Sequence, residues 1–127
     1  MSKASELRDC GFRPNCVSST ATNPRRRIGP WRLNVAPEAA WKAVREVVAA
    51  TPRTRILAEE HGYLHAEARS RMLGFVDDLE LALDLDSEPK RLFARSASRL
   101  GFSDRGVNRR RVERLRQQLV ELQVIEP

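Results

Sequence analysis

At 127 residues, 41% of them hydrophobic, the chain has room for one small globular domain around a single core and no second one. No run of about 18 apolar residues occurs, which excludes a helix that spans a bilayer. The net charge of +6 invites a nucleic-acid reading, but it divides into +4 over residues 1–30, −1 over 31–104 and +3 over 105–127, so the excess sits in a tail and a final helix.

The opening "MSKASELRDC" lacks the apolar stretch of a secretory signal, and the expected compartment is the cytoplasm. Cys10 and Cys16 enclose five residues in "CGFRPNC". That spacing permits a small disulfide loop and matches no zinc pattern, for which a second pair is missing. In a reducing cytoplasm the expected state is two thiols. Residues 1–30 hold Pro14, Pro24 and Pro30, the polar "SSTATN" and Arg25 to Arg27, with neither a period of 2 nor one of 3.6. They are expected as extended coil laid over the domain or partly disordered, leaving 31–127 as a single α+β domain.

"WRLNV" alternates Trp31, Leu33 and Val35 against Arg32 and Asn34, a short half-buried strand. Pro37 then opens a helix whose stripe is Trp41, Val44, Val47 and Val48, ending at Thr51-Pro52. "TRILAEE" and "YLHAEARSRM" flank His61-Gly62, a tight hairpin turn. In the second of these, Leu64, Ala66, Ala68 and Met72 share one face. "FVDDLELALDL" sets Phe75, Leu79, Leu81, Leu83 and Leu85 toward the core and Asp78, Glu80 and Asp84 away from it. After the turn "DSEPK", the strand "RLFARSASRL" sets Leu92, Ala94, Ser96, Ser98 and Leu100 on one side and Arg91, Phe93, Arg95, Ala97 and Arg99 on the other. The last segment is helical by its spacing of Val112, Leu115, Leu119 and Leu122. The order strand, helix, four strands, helix predicts an antiparallel sheet of about five strands with both helices on one face, a two-layer sandwich of the helix-grip kind.

Directly opposed residues of an antiparallel pair share a face, so placing Asp84 opposite Arg91 puts Glu80 opposite Arg95 and Asp77 opposite Ser98. A register two residues longer, with Asp78 against Arg99, satisfies the same parity. In the first register the outer face becomes a ladder of opposite charges, and Asp77 is left on the core side, where a carboxylate needs a partner. On the final helix, at 100° per residue, Asn108 projects onto the middle of the apolar stripe, with Asp104 and Arg105 at its edges. Asn108 and Asp104 would then meet Ser96, Ser98 and Asp77 at one corner, with Arg99 or Arg105 folding over it. Ser103 and Asp104 are the expected helix caps, after Gly101 and Gly106 turn the chain. Arg109 to Arg111 oppose the helix dipole and are expected to reach outward. His61 and His65 are expected as solvated or stacked side chains rather than metal ligands.

Three strings, "PNCVSS" at Pro14 to Ser19, "FVDDLE" at Phe75 to Glu80 and "RSASRLGFSDRGVNRRR" at Arg95 to Arg111, together resemble the bacterial and plastid family known as domain of unknown function 1499. The resemblance implies a small α+β domain, in a family often exported, membrane-tethered or organelle-targeted, whereas this chain has no evident targeting segment. It also implies that Asn15, Cys16, Ser18 and Ser19 belong with Asp77, Asp78, Arg95, Ser96, Ser98, Arg99, Ser103, Asp104, Asn108 and Arg109, and hence that "PNCVSS" packs near the corner. It brings no reaction with it.

The leading expectation is therefore a non-enzymatic binding or accessory domain. Its polar corner, Asp77, Ser96, Ser98, Arg99, Asp104, Asn108 and Arg109, would receive an anionic ligand or a partner segment. A second reading is a hydrolase or thiol-redox protein using Cys16 or Ser98 with Asp77, although no histidine base can be placed beside them. A third is nucleic-acid binding through Arg25 to Arg27 and Arg109 to Arg111. No cofactor and no metal is expected.

Overall fold

The computed structural model describes residues 4–100 and 106–127. A 3-10 turn at Ala4–Glu6 precedes β1 (Cys16–Ser18), β2 (Trp31–Arg32), α1 (Pro37–Ala50), β3 (Thr54–Glu60), β4 (Tyr63–Arg69), β5 (Val76–Asp84), β6 (Arg91–Ser98) and α2 (Val107–Glu121). The strands form one antiparallel sheet of six, ordered β1-β6-β5-β4-β3, with β2 also pairing β6. This is the expected α+β architecture, with one strand more than the tally from periodicity.

The extra strand is β1. The N-terminal stretch, expected as extended coil laid over the domain or partly disordered, supplies an edge strand against β6, with Cys16 opposite Ala97, Val17 opposite Ser96 and Ser18 opposite Arg95. A parallel bridge from Ser18 to Arg27 holds its return.

The first register holds over eight residues, from Asp77 opposite Ser98 to Asp84 opposite Arg91. The β3–β4 hairpin turns at His61-Gly62, and Gly62 sits at φ 68°, a left-handed conformation that favours glycine. A bulge between Ile56 and Ala58 shifts the phase of β3, so Glu59 opposes Leu64 on the helix side. There Glu59 accepts a hydrogen bond from Trp41 Nε1 at 3.0 Å and pairs with Arg45 at 2.7 Å.

Both helices bury most of the stripes their spacing predicts, with Val47 only half-buried and Leu122 exposed. α1 buries Ala40, Trp41, Val44 and Val48, and α2 buries Val112, Leu115 and Leu119, against a core that includes Leu64, Leu81 and Leu92 of the sheet, while Asn108 is buried at the start of α2. Each fully buried leucine or valine stabilises the fold by roughly 1.5–3 kcal/mol relative to leaving it in water. Val124 and Ile125 fold back to close the core, Ile125 bridging to Leu33. Met72, Phe75, Leu85, Leu100 and Leu122, expected on core faces, are exposed, because each lies beyond the end of its strand or helix. α2 begins at Val107 after Gly106, whose φ of 81° provides the turn. The expected caps Ser103 and Asp104, with Gly101 and Arg105, lie outside the described residues.

Candidate functional site

The register places Ser96 and Ser98 of β6 and Asp77 of β5 on the face that α2 covers. Asn108, in the first turn of α2, points down among them and is fully buried. Its Oδ1 accepts from Ser96 Oγ at 2.6 Å and from Arg111 Nη1 at 2.8 Å. Its Nδ2 donates to Ser98 Oγ at 2.9 Å and to the Asn15 carbonyl at 3.2 Å. Four bonds use the whole amide, as burial of so polar a group requires.

Asp77 finds its partner in Arg111, at 2.7 Å, and neither side chain is more than 18% exposed. Arg111 therefore turns inward, not outward as its place in an arginine run suggests. The signal was its spacing: three residues after Asn108 and four before Leu115, it falls on the edge of the stripe.

Arg99 does not fold over this corner. It lies on the opposite face, clasping Asp78 with two hydrogen bonds of 2.9 Å and reaching Glu67 at 2.6 Å. Asp78 also meets His65 Nε2 at 2.7 Å, so His65 is tied into the ladder rather than left to solvent. The Arg99 guanidinium holds the Asp78 carboxyl down at about 2, with His65 contributing. Arg99, Asp78 and Glu67 form a charge network across three strands, two residues diagonal to the direct register.

Further along the same face, Arg95 is nearly excluded from water, 3.6 Å from Glu80 and donating to the Arg8 carbonyl at 3.0 Å. Tyr63 donates to Glu80 at 2.6 Å, and burial followed by that carboxylate pushes its phenol well above its ordinary value. The N-terminal segment lies over this face, burying Ala4 and Leu7 against Ala82, with Tyr63 and Phe93 beside them.

Cys10 and Cys16 are not two thiols. They form a disulfide, because the chain from Leu7 to Val17 doubles back on β6 and brings their Cα atoms to 5.6 Å, with both residues buried against Ala97. Cys16 thus lies on the outer face, away from Asp77, and carries no thiolate. Ser98 lies beside Asp77, but its Oγ accepts from Asn108, and His65 is on the other side of the sheet.

The other "PNCVSS" residues hold the edge. Ser18 Oγ is 2.9 Å from Thr20 Oγ1, and Ser19 Oγ accepts from the Ala94 amide at 2.9 Å. Arg109 donates to the Arg25 carbonyl, Arg26 to Pro14 and Arg27 to Ala21. Three of the six clustered arginines thus fasten the N-terminal segment, and a fourth holds Asp77. Asp104 lies outside the described residues.

On the far side of Arg111 an open cleft of about 530 Å³ runs between α1, α2 and the starts of β3 and the end of β4. Arg53, Arg69, Arg111 and Arg114 line it, with Glu46 its one acid, and Ala43, Val47, Ala50 and Leu122 supply apolar walls. No single period groups these arginines, because they come from α2, the end of β4 and the turn before β3. Among the described residues no group of three or more His, Cys, Asp or Glu is arranged to hold a metal ion, and no helix is long and apolar enough to cross a membrane. A family model described as "Protein of unknown function (DUF1499)" matches residues 6–119. Neither a curated protein nor a solved structure gives a match.

Proposed function

The chain belongs to the DUF1499 family of proteins of unknown function, and for it we propose a non-enzymatic binding module that receives a small anionic group in the cleft between its helices and its sheet. The observation that carries this reading is the set of four arginines against one glutamate on a half-open wall. Arg53 and Arg114 make no ion pair among the described residues, so their charge is available to a ligand. Arg111 is committed to Asp77 and gives the cleft a fixed floor. The corner itself is filled by the chain's own groups: Arg111 meets the carboxylate, and Asn15 is the segment that enters. A ligand consequently finds room on the cleft side of Arg111.

The mixed walls favour an anion with a short apolar body, a carboxylate or phosphate monoester, over bare phosphate. Titration of the ¹⁵N-labelled protein with octanoate and with inorganic phosphate tests this. Octanoate should shift the Thr54 and Arg114 amides saturably, and Arg114→Ala should weaken its binding about tenfold, the loss expected for one charge-assisted hydrogen bond. Unsaturated, unlocalised shifts with both probes at about 10 mM would refute the cleft as a site.

A further inference from the structure

One end of the sheet presents apolar side chains that the core does not use. That end is closed by a row in which the Arg69 amide donates to the Arg53 carbonyl at 2.9 Å and the Arg99 amide to the Val76 carbonyl at 3.2 Å. Beyond the row the β4–β5 connection projects as a loop pinned at its base, where the Ser70 amide donates to the Phe75 carbonyl and the Phe75 amide to Ser70 Oγ. Its tip carries Met72, 90% exposed, and Leu73, 73% exposed, beside Phe75 at 57% and Leu100 at 79%. Arg13 reaches the Ser98 carbonyl, which brings its neighbour Phe12, 92% exposed, to the same end. One exposed leucine is ordinary, whereas five large apolar side chains at one end of a 127-residue chain mark an interaction surface.

Around the tip cations outnumber acids. A shallow depression of about 750 Å³ at the base of the loop is lined by Arg53, Arg55, Arg69 and Arg71, and its one acid is Glu67. Glu67 is already held by Arg99 at 2.6 Å and by Arg55 at 3.4 Å. Arg53 and Arg71 make no ion pair among the described residues. The result is a projecting apolar tip inside a collar of cations.

We propose that this end of the molecule docks on an anionic lipid bilayer, Met72 and Leu73 entering the acyl boundary while Arg53 and Arg71 meet headgroup phosphates. A projecting tip suits a deformable interface better than a rigid protein face, which would need a socket of matching shape. The collar lies one layer behind the tip, where headgroups lie relative to acyl chains. Guanidinium binds phosphate through paired donors, so arginine rather than lysine suits that layer. The surface adjoins the anion cleft and shares Arg53, Thr54 and Arg69 with it, but Arg71, Met72 and Leu73 lie outside the cleft, and Arg114 lies outside this surface.

Co-sedimentation of the intact chain with phosphatidylcholine vesicles, with and without phosphatidylglycerol, tests the proposal. The protein should partition onto the anionic vesicles alone, and raising salt to several times the physiological level should release it. Leu73→Asp and Arg71→Glu should each lower the partition coefficient about tenfold with an unchanged unfolding midpoint, since both residues are exposed. In Leu73→Trp, emission should shift to the blue on binding. Arg114→Ala should leave partitioning intact, which separates this surface from the cleft. Three results would overturn it: no partitioning onto anionic vesicles; equal partitioning by Leu73→Asp, meaning adsorption by charge alone; or a dimer that Leu73→Asp dissolves with no vesicle binding, meaning a self-association face.

Discussion

At Asp77 the sheet carries a carboxylate on its helix-covered face, and Arg111 is the group that makes this tolerable. The two are 2.7 Å apart and largely buried, so removing the cation alone strands a charge in a poorly solvated place. Arg111→Met should cost about 3 kcal/mol in urea unfolding, and adding Asp77→Asn should recover much of that loss. Additive effects of the two substitutions would mean that the pair is not coupled. The neighbouring residues were legible in sequence. Parity placed Asp77, Ser96 and Ser98 on the inner face, and helical spacing placed Asn108 among them. The arginines were legible in part: alternation put Arg99 on the outer face, where it bonds Asp78 and Glu67 and does not fold over the corner, whereas Arg111, expected outside, fills the corner. A period fixes the direction of a Cβ, and a guanidinium on four rotatable bonds can go where the nearest carboxylate is.

Among the elements, the N-terminal segment differs most from its sequence reading. Three residues make β1, too few for any period to register, and only the neighbouring β6 turns them into a strand. Val17 adds to the core, Asn15 supplies an acceptor to Asn108, and the Cys10–Cys16 bond fixes the approach. Cys10→Ser should cost about 2 kcal/mol by the chain-entropy relation for so short a loop. Amide exchange should quicken at Val17, Ser18 and Ser19 while Leu64 and Leu81 keep their protection. Undiminished protection in β1 would show that the pairing with β6, and not the disulfide, secures the segment. The long elements were placed correctly in order and type, since α1, α2 and strands β4 to β6 each repeat their pattern several times, whereas the bulge in β3 has no mark in its alternation.

Across the whole molecule, the acidic groups of the outer face are held ionised by cations on neighbouring strands. Asp78 sits at about 2 through Arg99 and His65, Glu67 is lowered chiefly by Arg99, and Asp84, against the cost of its burial, is lowered by Ser87 and Arg91. A carboxyl with a depressed folded pKa binds fewer protons folded than unfolded. Its stabilisation is complete above the unfolded value, about 4, and is lost as pH falls through the folded one. The unfolding midpoint should therefore hold steady down to about pH 5 and fall progressively toward pH 2, with a shallower fall in Asp78→Asn. A flat profile across that range would mean that the ladder adds nothing to stability.

By itself the sequence determined the order of elements, the faces taken along β4, β5 and β6, and the stripe on which Asn108 lies, while the structure chose between the two β5–β6 registers that parity allows. These follow from periods of 2 and 3.6, which act between residues a few positions apart. The tertiary structure alone decided that Cys10 and Cys16 join, that Asn15 reaches Asn108 across 93 residues, which carboxylate each arginine meets, and that a basic cleft opens behind Arg111. Those outcomes depend on distances set only when the sheet closes against its helices, and no local pattern encodes them.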